Sequence, residues 1–192
     1  VPSNKIEGIK ALGAEVRLIG ANQDEAQLEA DRLSIDEGMT YISPFDNIDV
    51  IAGQGTLGLE IHRQIPELSF AFVPLSGGGL ICGVAKALKG LNRNLKVIGV
   101  SMDRGAAMYE SQKAGKPIFV KEEESLADAL TGGIGIDNKY TFQLTKQLVD
   151  EIVLVSEQEI ADGIHYAYWR ESQIVEGAGA VAIASLLNKK FK

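Results

Sequence analysis

Ser76-Gly77-Gly78-Gly79-Leu80 stands between a continuously apolar run, residues 70–75, and a segment of helical period, residues 80–91. Three successive glycines strip every β-carbon from that turn, so main-chain amides are free to converge on one anion. The N-terminus of the following helix adds roughly half a positive charge at the same place. An α/β protein builds a phosphate cradle in this way. No Gly-Lys-Ser/Thr follows, so the loop is not a nucleotide P-loop. Gly77, Gly79 and Gly83 also have a GxGxxxG spacing, and Asp103 lies where a ribose-binding acid would stand, which leaves an NAD(P)-dependent oxidoreductase open. A bare strand-to-helix turn, or a non-catalytic module that binds a phosphate ligand, accounts for the same glycines.

Two further small-residue segments could meet a ligand. Thr131-Gly132-Gly133-Ile134-Gly135 interrupts helical sequence as though a backbone passes a flat molecule, although a loop or helix cap has the same composition. Glu176-Gly177-Ala178-Gly179-Ala180 puts one carboxylate ahead of an apolar helix, where an acid is worth about 0.3–1 kcal/mol through the helix dipole alone. Cys82 is the single cysteine, so no intrachain disulfide can form; a reducing cytoplasm is expected, with the thiol packed as a small hydrophobe. His62 and His165 sit in no ligand spacing, and no metal is expected.

Composition narrows the partners. Nineteen Lys and Arg against 26 Asp and Glu give a net charge of -7 with no basic stripe, which argues against nucleic acid. The longest apolar stretches, residues 70–75 and 178–187, fall short of the roughly 18–20 residues that span a bilayer. No charged-then-apolar leader precedes them. With 45% apolar and 23% charged residues the chain is an ordinary globular one, neither disordered nor collagen-like.

Short β-branched runs alternate with longer helical patterns, as in an α/β fold with a mostly parallel sheet. Strands are expected at residues 15–19, 39–42, 70–75, 95–100 and 151–155, with a short extended piece at 117–120. Helices are expected at 6–12, 23–37, 49–64, 80–91, 104–114, 138–148, 156–170 and 178–188. Ser156 and Glu159 form a capping box at the start of one of these. Gly53, Gly55 and Gly58 within the 49–64 helix each cost about 1 kcal/mol relative to Ala, which points to close approach by another backbone or a ligand. Tyr166, Tyr168 and Trp169 on the helix after Ser156 read as packing or interface groups.

Six ordered blocks carry a resemblance: KIEGIKALGAE at 5–15, PFDNIDVIAGQGTLGLEI at 44–61, VPLSGGGLICGVAKALK at 73–89, ADALTGGIGID at 127–137, VSEQEI at 155–160 and IVEGAGAVAIASLL at 174–187. In this order they resemble the fold type II pyridoxal-phosphate enzymes, within them the serine/threonine dehydratase (threonine ammonia-lyase) and serine racemase family. SMDRGAAMYES at 101–111, GGIGIDNKYTF at 132–142 and VEGAGAVAIA at 175–184 further resemble the hydroxyectoine-utilisation dehydratases.

The resemblance implies a three-layer α/β fold, tryptophan synthase β-like and partial here, with residues 1–46 ending a smaller domain and 47–192 forming most of a larger one. It implies that Ser76, Gly77, Gly78, Gly79 and Leu80 bind the phosphate of pyridoxal 5'-phosphate, that Gly135 lies beside the pyridine ring, and that Glu176 is a catalytic residue near the cofactor or the substrate's departing group. The implied reaction is α,β-elimination from a β-hydroxy amino acid, giving a 2-oxo acid and ammonia, in a homodimer.

Departures limit what carries over. No lysine here has the family's Ser-x-Lys-x-Arg-Gly neighbours, and neither the Ser-Gly-Asn-His loop nor the later Ser-Gly-Gly-Asn segment is present. Lys86 and Lys89 are poor substitutes, being expected to be solvated along the helix after the glycine loop. The chain is therefore expected to be a piece cut at both ends and inactive by itself. Ser101 and Ala107 replace the Glu and Asp of the racemase-like cation site, so no divalent metal is expected there.

Overall fold

Parallel strands cannot be joined by tight turns and need crossover helices, and that requirement organises most of this chain. The computed structural model describes residues 1–191. They form two compact units, Val1–Tyr41 and the part from Ile42 onward.

The first unit holds α1 (Ser3–Ala11) and α2 (Gln23–Asp36). Asn22 caps α2 by accepting from the Glu25 amide at 2.9 Å, and the Glu25 carboxylate returns to the Ala21 amide at 2.9 Å. Arg32 is tied to Glu29 at 2.8 Å and Asp36 at 3.3 Å on the exposed face. Neither helix has a buried residue. The strands expected at 15–19 and 39–42 are not formed: neither segment has a ladder partner among the described residues. An apolar run becomes a strand only where a neighbour takes up its backbone groups. Leu18, Ile19, Met39 and Ile42 stay exposed.

In the second unit Asn47 accepts from the amides of Asp49 (2.8 Å) and Val50 (3.2 Å) and starts α3 (Ile48–Gln64). Then follow β1 (Phe70–Pro74), α4 (Gly79–Leu91), β2 (Lys96–Met102), α5 (Ala107–Ala114), a single 3-10 turn (Asp128–Leu130), α6 (Thr141–Leu148), β3 (Glu151–Val155), α7 (Glu157–Glu171) and α8 (Gly177–Leu187). The sheet is parallel in the order β1-β2-β3, with Phe70 opposite Lys96 and Val100 opposite Val153.

Alternation along the central strand divides two cores. Val97 joins Val73, Leu75, Ile81, Val84, Leu88, Met108 and Phe142 on one face. Ile98, Val100 and Met102 join Val153, Val155, Ile160 and Val181 on the other. Helices α3 to α6 cover the first face and α7 with α8 the second, which is the expected three-layer α/β arrangement. The capping box forms as expected: the Ser156 amide donates to Glu159 Oε2 at 2.7 Å, and the Glu159 amide to Ser156 Oγ at 3.3 Å. No helix among the described residues is long and apolar enough to cross a membrane.

Boundaries shift where non-local partners decide them. β2 runs to Met102 rather than residue 100 because Ser101 and Met102 pair with Leu154 and Val155. α5 begins at Ala107, since Gly105 turns with φ +60° beside the Lys121 carbonyl. The extended piece at 117–120 joins no ladder among the described residues; the Ile118 amide donates instead to Ser111 Oγ at 3.1 Å. Gly55 and Gly58 do allow close approach, and the approaching body is α4: a β-carbon on Gly58 would lie 2.9 Å from the Val84 carbonyl oxygen and one on Gly55 3.3 Å from that of Gly83. Gly53 faces open space, and no backbone among the described residues approaches it.

Asp150 pins the start of β3. It accepts from Lys89 Nζ at 2.6 Å, Lys96 Nζ at 3.2 Å and the Val97 amide at 2.8 Å. Burial works to raise its carboxyl, but the bonds from Lys89, Val97 and Lys96 outweigh it and hold the group below its usual range. A depressed folded value means stability that is complete above the unfolded value, about 3.9, and is lost as pH falls through the folded one. Acid unfolding of Asp150→Asn should therefore depend less steeply on pH below about 4 than that of the parent. Identical acid limbs in circular dichroism melts would contradict this.

Candidate functional site: the glycine loop

β1 ends at Pro74, and the chain turns through Ser76 and Gly77 into Gly78, whose φ of +94° and ψ of -7° lie in the left-handed region. Gly78 is the N-cap of α4 and supplies no side-chain cap. The first amides of a helix have no intrahelical acceptor. Here, among the described residues, no carbonyl or side chain accepts from the amides of Ser76, Gly77, Gly78, Gly79 or Leu80. Gly77, Gly78 and Gly79 are buried. Buried amides without a partner are rare in native proteins and call for an acceptor.

Protein atoms crowd the loop from two sides. A β-carbon on Gly77 would strike the Phe45 ring, and one on Gly79 would lie 2.9 Å from Phe45 Cα. On Gly78 it would meet Thr141 Cβ at 3.0 Å, Met108 Cε at 3.1 Å and Thr145 Oγ1 at 3.2 Å. All three glycines are thus demanded by packing, and the turn is held in one shape with its donors left over. These features fit a phosphate group.

Sequence reasoning missed what holds the walls. Asp46 accepts from the amides of Lys139 (2.6 Å), Tyr140 (2.9 Å) and Thr141 (2.9 Å), joining the segment before α3 to the start of α6. Asn138 continues the knot, donating to Thr141 Oγ1 at 2.8 Å and accepting from the Phe142 amide at 2.8 Å. Side chains thus occupy residues 138–140, and α6 starts at Thr141 rather than 138. A polar stretch ahead of a helix was the only signal, and nothing local named its partner.

Gly135 has φ +76° and open space where a β-carbon would stand, with Ile134 buried beside it. Glu176 is the N-cap of α8, accepting from the amides of Ala178 (2.9 Å) and Gly179 (3.0 Å), so its dipole role is filled. A β-carbon on the adjacent Gly177 would strike the Leu126 carbonyl, which brings the segment before the 3-10 turn against α8. No described contact joins Glu176 to the glycine loop. Gly83, third in the GxGxxxG spacing, is used against α3, where a β-carbon would meet the Ile51 carbonyl and the Gly55 amide. Asp103 lies by Arg104 at 3.6 Å. Lys86 is exposed as expected, whereas Lys89 is held by Asp150 rather than solvated. Ser101 and Ala107 are both buried. Tyr168 and Trp169 stack edge to face at 5.0 Å on the exposed side of α7.

Cys82 packs as a small hydrophobe, fully buried behind the loop, with Sγ 3.4 Å from Thr145 Oγ1 and 3.6 Å from the Thr141 carbonyl. Burial pushes its thiol up to about 11, against a pull from the Thr145 hydroxyl and with a further push from the Asp46 charge. Near neutral pH it should resist a thiol-specific reagent until the chain is unfolded. Stoichiometric labelling of the folded chain, read by mass, would contradict that.

The model of the family described as "Pyridoxal-phosphate dependent enzyme" matches residues 1–192. The L-threonine ammonia-lyase of Thermotoga maritima is 42% identical over 188 residues, which are 98% of this chain and 46% of that one. Among solved structures, maize serine racemase superposes with a TM-score of 0.89 at 30% identity, over 100% of this chain and 58% of that one. The processed form of threonine deaminase isoform 2 from Solanum lycopersicum gives 0.85 at 40%, over 96% and 50%. The chain spans about half the length of the relatives it matches. The match takes in the glycine loop and every element around it, and the chain belongs to the pyridoxal-phosphate dependent enzyme family.

Proposed function

We propose that this chain is the phosphate-binding part of a dehydratase or ammonia-lyase that eliminates water from a β-hydroxy amino acid and yields a 2-oxo acid and ammonia. What carries the reading is the run of amides from Ser76 to Leu80 without an acceptor, three of them on the buried glycines 77–79, in a chain whose family depends on pyridoxal phosphate. The threonine ammonia-lyase and threonine deaminase names of its relatives point to the substrate class.

The Ser76–Leu80 amides hold the phosphate and the N-terminus of α4 adds its partial charge. When bound, pyridoxal 5'-phosphate supplies the electron sink that allows an amino acid to lose its α-proton. Gly135, with no β-carbon in the open space beside it, lets a flat ring lie close. Both Glu176 oxygens already accept from amides, which fixes the carboxylate and leaves further lone pairs for a donor on the substrate. Residues 1–46 would end a smaller domain and 47–192 make most of the larger one, in a homodimer, as the resemblance implies, and the single cysteine suits a reducing cytoplasm. The hydroxyectoine-utilisation blocks make a hydroxyectoine-derived amino acid a candidate substrate beside threonine, serine and hydroxyaspartate.

The chain alone, given the cofactor and threonine, should release no 2-oxo acid, because no lysine here has the Schiff-base neighbours. A form extended to the length of its relatives should release it from one of the four substrates. Release by the short chain would overturn the first statement, and silence of the long form on all four the second.

A further inference from the structure

Building on the reading of the glycine loop as a phosphate site, we propose that Asp46 is a positioning residue for it. Its carboxylate straps the start of α6 to the segment carrying Phe45, and the two bodies so joined are the walls that hold the loop.

The 43–47 segment is firm in its own right. Ser43 Oγ accepts from the amides of Asp46 (3.0 Å) and Phe45 (3.4 Å), and Asn47 is committed to capping α3. Phe45 from this segment fills the space left by the missing β-carbons of Gly77 and Gly79. Across the loop, Thr141 and Thr145 of α6 stand against Gly78. Between the two, Asp46 receives three amides from residues 139–141 at 2.6–2.9 Å, over a sequence separation of 93 to 95 residues. One side chain therefore sets the distance between both walls. An anionic carboxylate accepts on both oxygens and donates nothing, so it alone matches three converging amides; an asparagine would turn an NH2 group toward one of them.

This role and a mere charge effect have opposite signs. A carboxylate near a phosphate site repels the anion, so removing its charge with the geometry intact would tighten binding. If Asp46 is a strap, removing the charge loosens the wall and weakens binding.

The test titrates the ¹⁵N-labelled chain with inorganic phosphate and with pyridoxal 5'-phosphate, following the amide resonances of Gly77, Gly78 and Gly79 alongside the thermal midpoint. Asp46→Asn should weaken phosphate about threefold, and Asp46→Ala at least about tenfold, with the three glycine resonances already displaced before ligand is added. Asp150→Asn, which loosens a remote clamp of the same kind, should lower the midpoint but leave phosphate affinity and those resonances unchanged. Equal or tighter binding by Asp46→Asn with the glycine resonances in place overturns the proposal. If both Asp46 variants lose the fold outright, Asp46 is a structural residue only and the proposal falls. If the parent chain shows no response at these glycines, the phosphate reading itself fails; a parent that responds and an Asp46→Asn that responds alike sink only the strap.

Discussion

Gly78→Val should abolish binding of phosphate and of pyridoxal 5'-phosphate while leaving the sheet in place. Gly78 sits at φ +94°, where any β-carbon costs about 1–2 kcal/mol and a β-branched side chain more. The added atoms also meet Thr141, Met108 and Thr145 at 3.0–3.2 Å, all of them buried. The least costly escape is to move the turn, and that disperses the amides of Gly77 to Leu80. Two misdirected donors to an anion forfeit about 3 kcal/mol, at about 1.5 each, which is more than a hundredfold in Kd. Gly135→Ala is the informative contrast. Its φ of +76° carries the same backbone strain, but nothing stands within 4 Å of the new atom. It should therefore cost only about 1–2 kcal/mol of stability and leave phosphate affinity untouched. Isothermal titration with inorganic phosphate, paired with thermal melts, separates the two. Affinity within threefold of the parent for a folded Gly78→Val would remove the loop from the site.

The loop is legible in the sequence because its signals are local. An apolar strand, three glycines and a helical period follow one another within about twenty residues, and the capping box at Ser156 spans only four. What could not be read depends on partners far away in sequence. Residues 15–19 have the composition of a strand, yet composition cannot supply the neighbour whose backbone makes it one. The Asp46 strap joins residues 93 to 95 positions apart, and neither end announces the other. Glu176 shows a third situation. Its N-cap role follows from position alone and is observed, while a role toward the cofactor rests on family resemblance and is invisible in its hydrogen bonds. The glycines of α3 fall between these extremes. All three look alike in sequence, but helical spacing puts Gly55 and Gly58 on the stripe with buried Ile51 and turns Gly53 away from it.

That stripe leads to the second large effect. Gly83→Ala should destabilise the chain severely, whereas Gly53→Ala, a chemically identical change in the facing helix, should stabilise it. At Gly83 the methyl carbon would press into the Ile51 carbonyl and stand 2.6 Å from the Gly55 amide nitrogen. Both obstacles are backbone, so no rotamer can relieve them, and α3 must lift from α4 along its length. Overpacking usually costs about 1–3 kcal/mol; a rigid helix–helix contact puts this case at or beyond the upper end, about 6–12 °C in Tm for a chain of this size. At Gly53 nothing lies within 4 Å, and the alanine only removes the entropic cost of glycine in a helix, up to about 1 kcal/mol, or about 2–4 °C upward. Because α4 also carries the glycine loop at its N-terminus, lifting α3 should disturb phosphate affinity too, since Phe45, which packs on that loop, lies just ahead of α3. A Gly83→Ala chain that melts with the parent would mean that the two helices do not meet at this crossing.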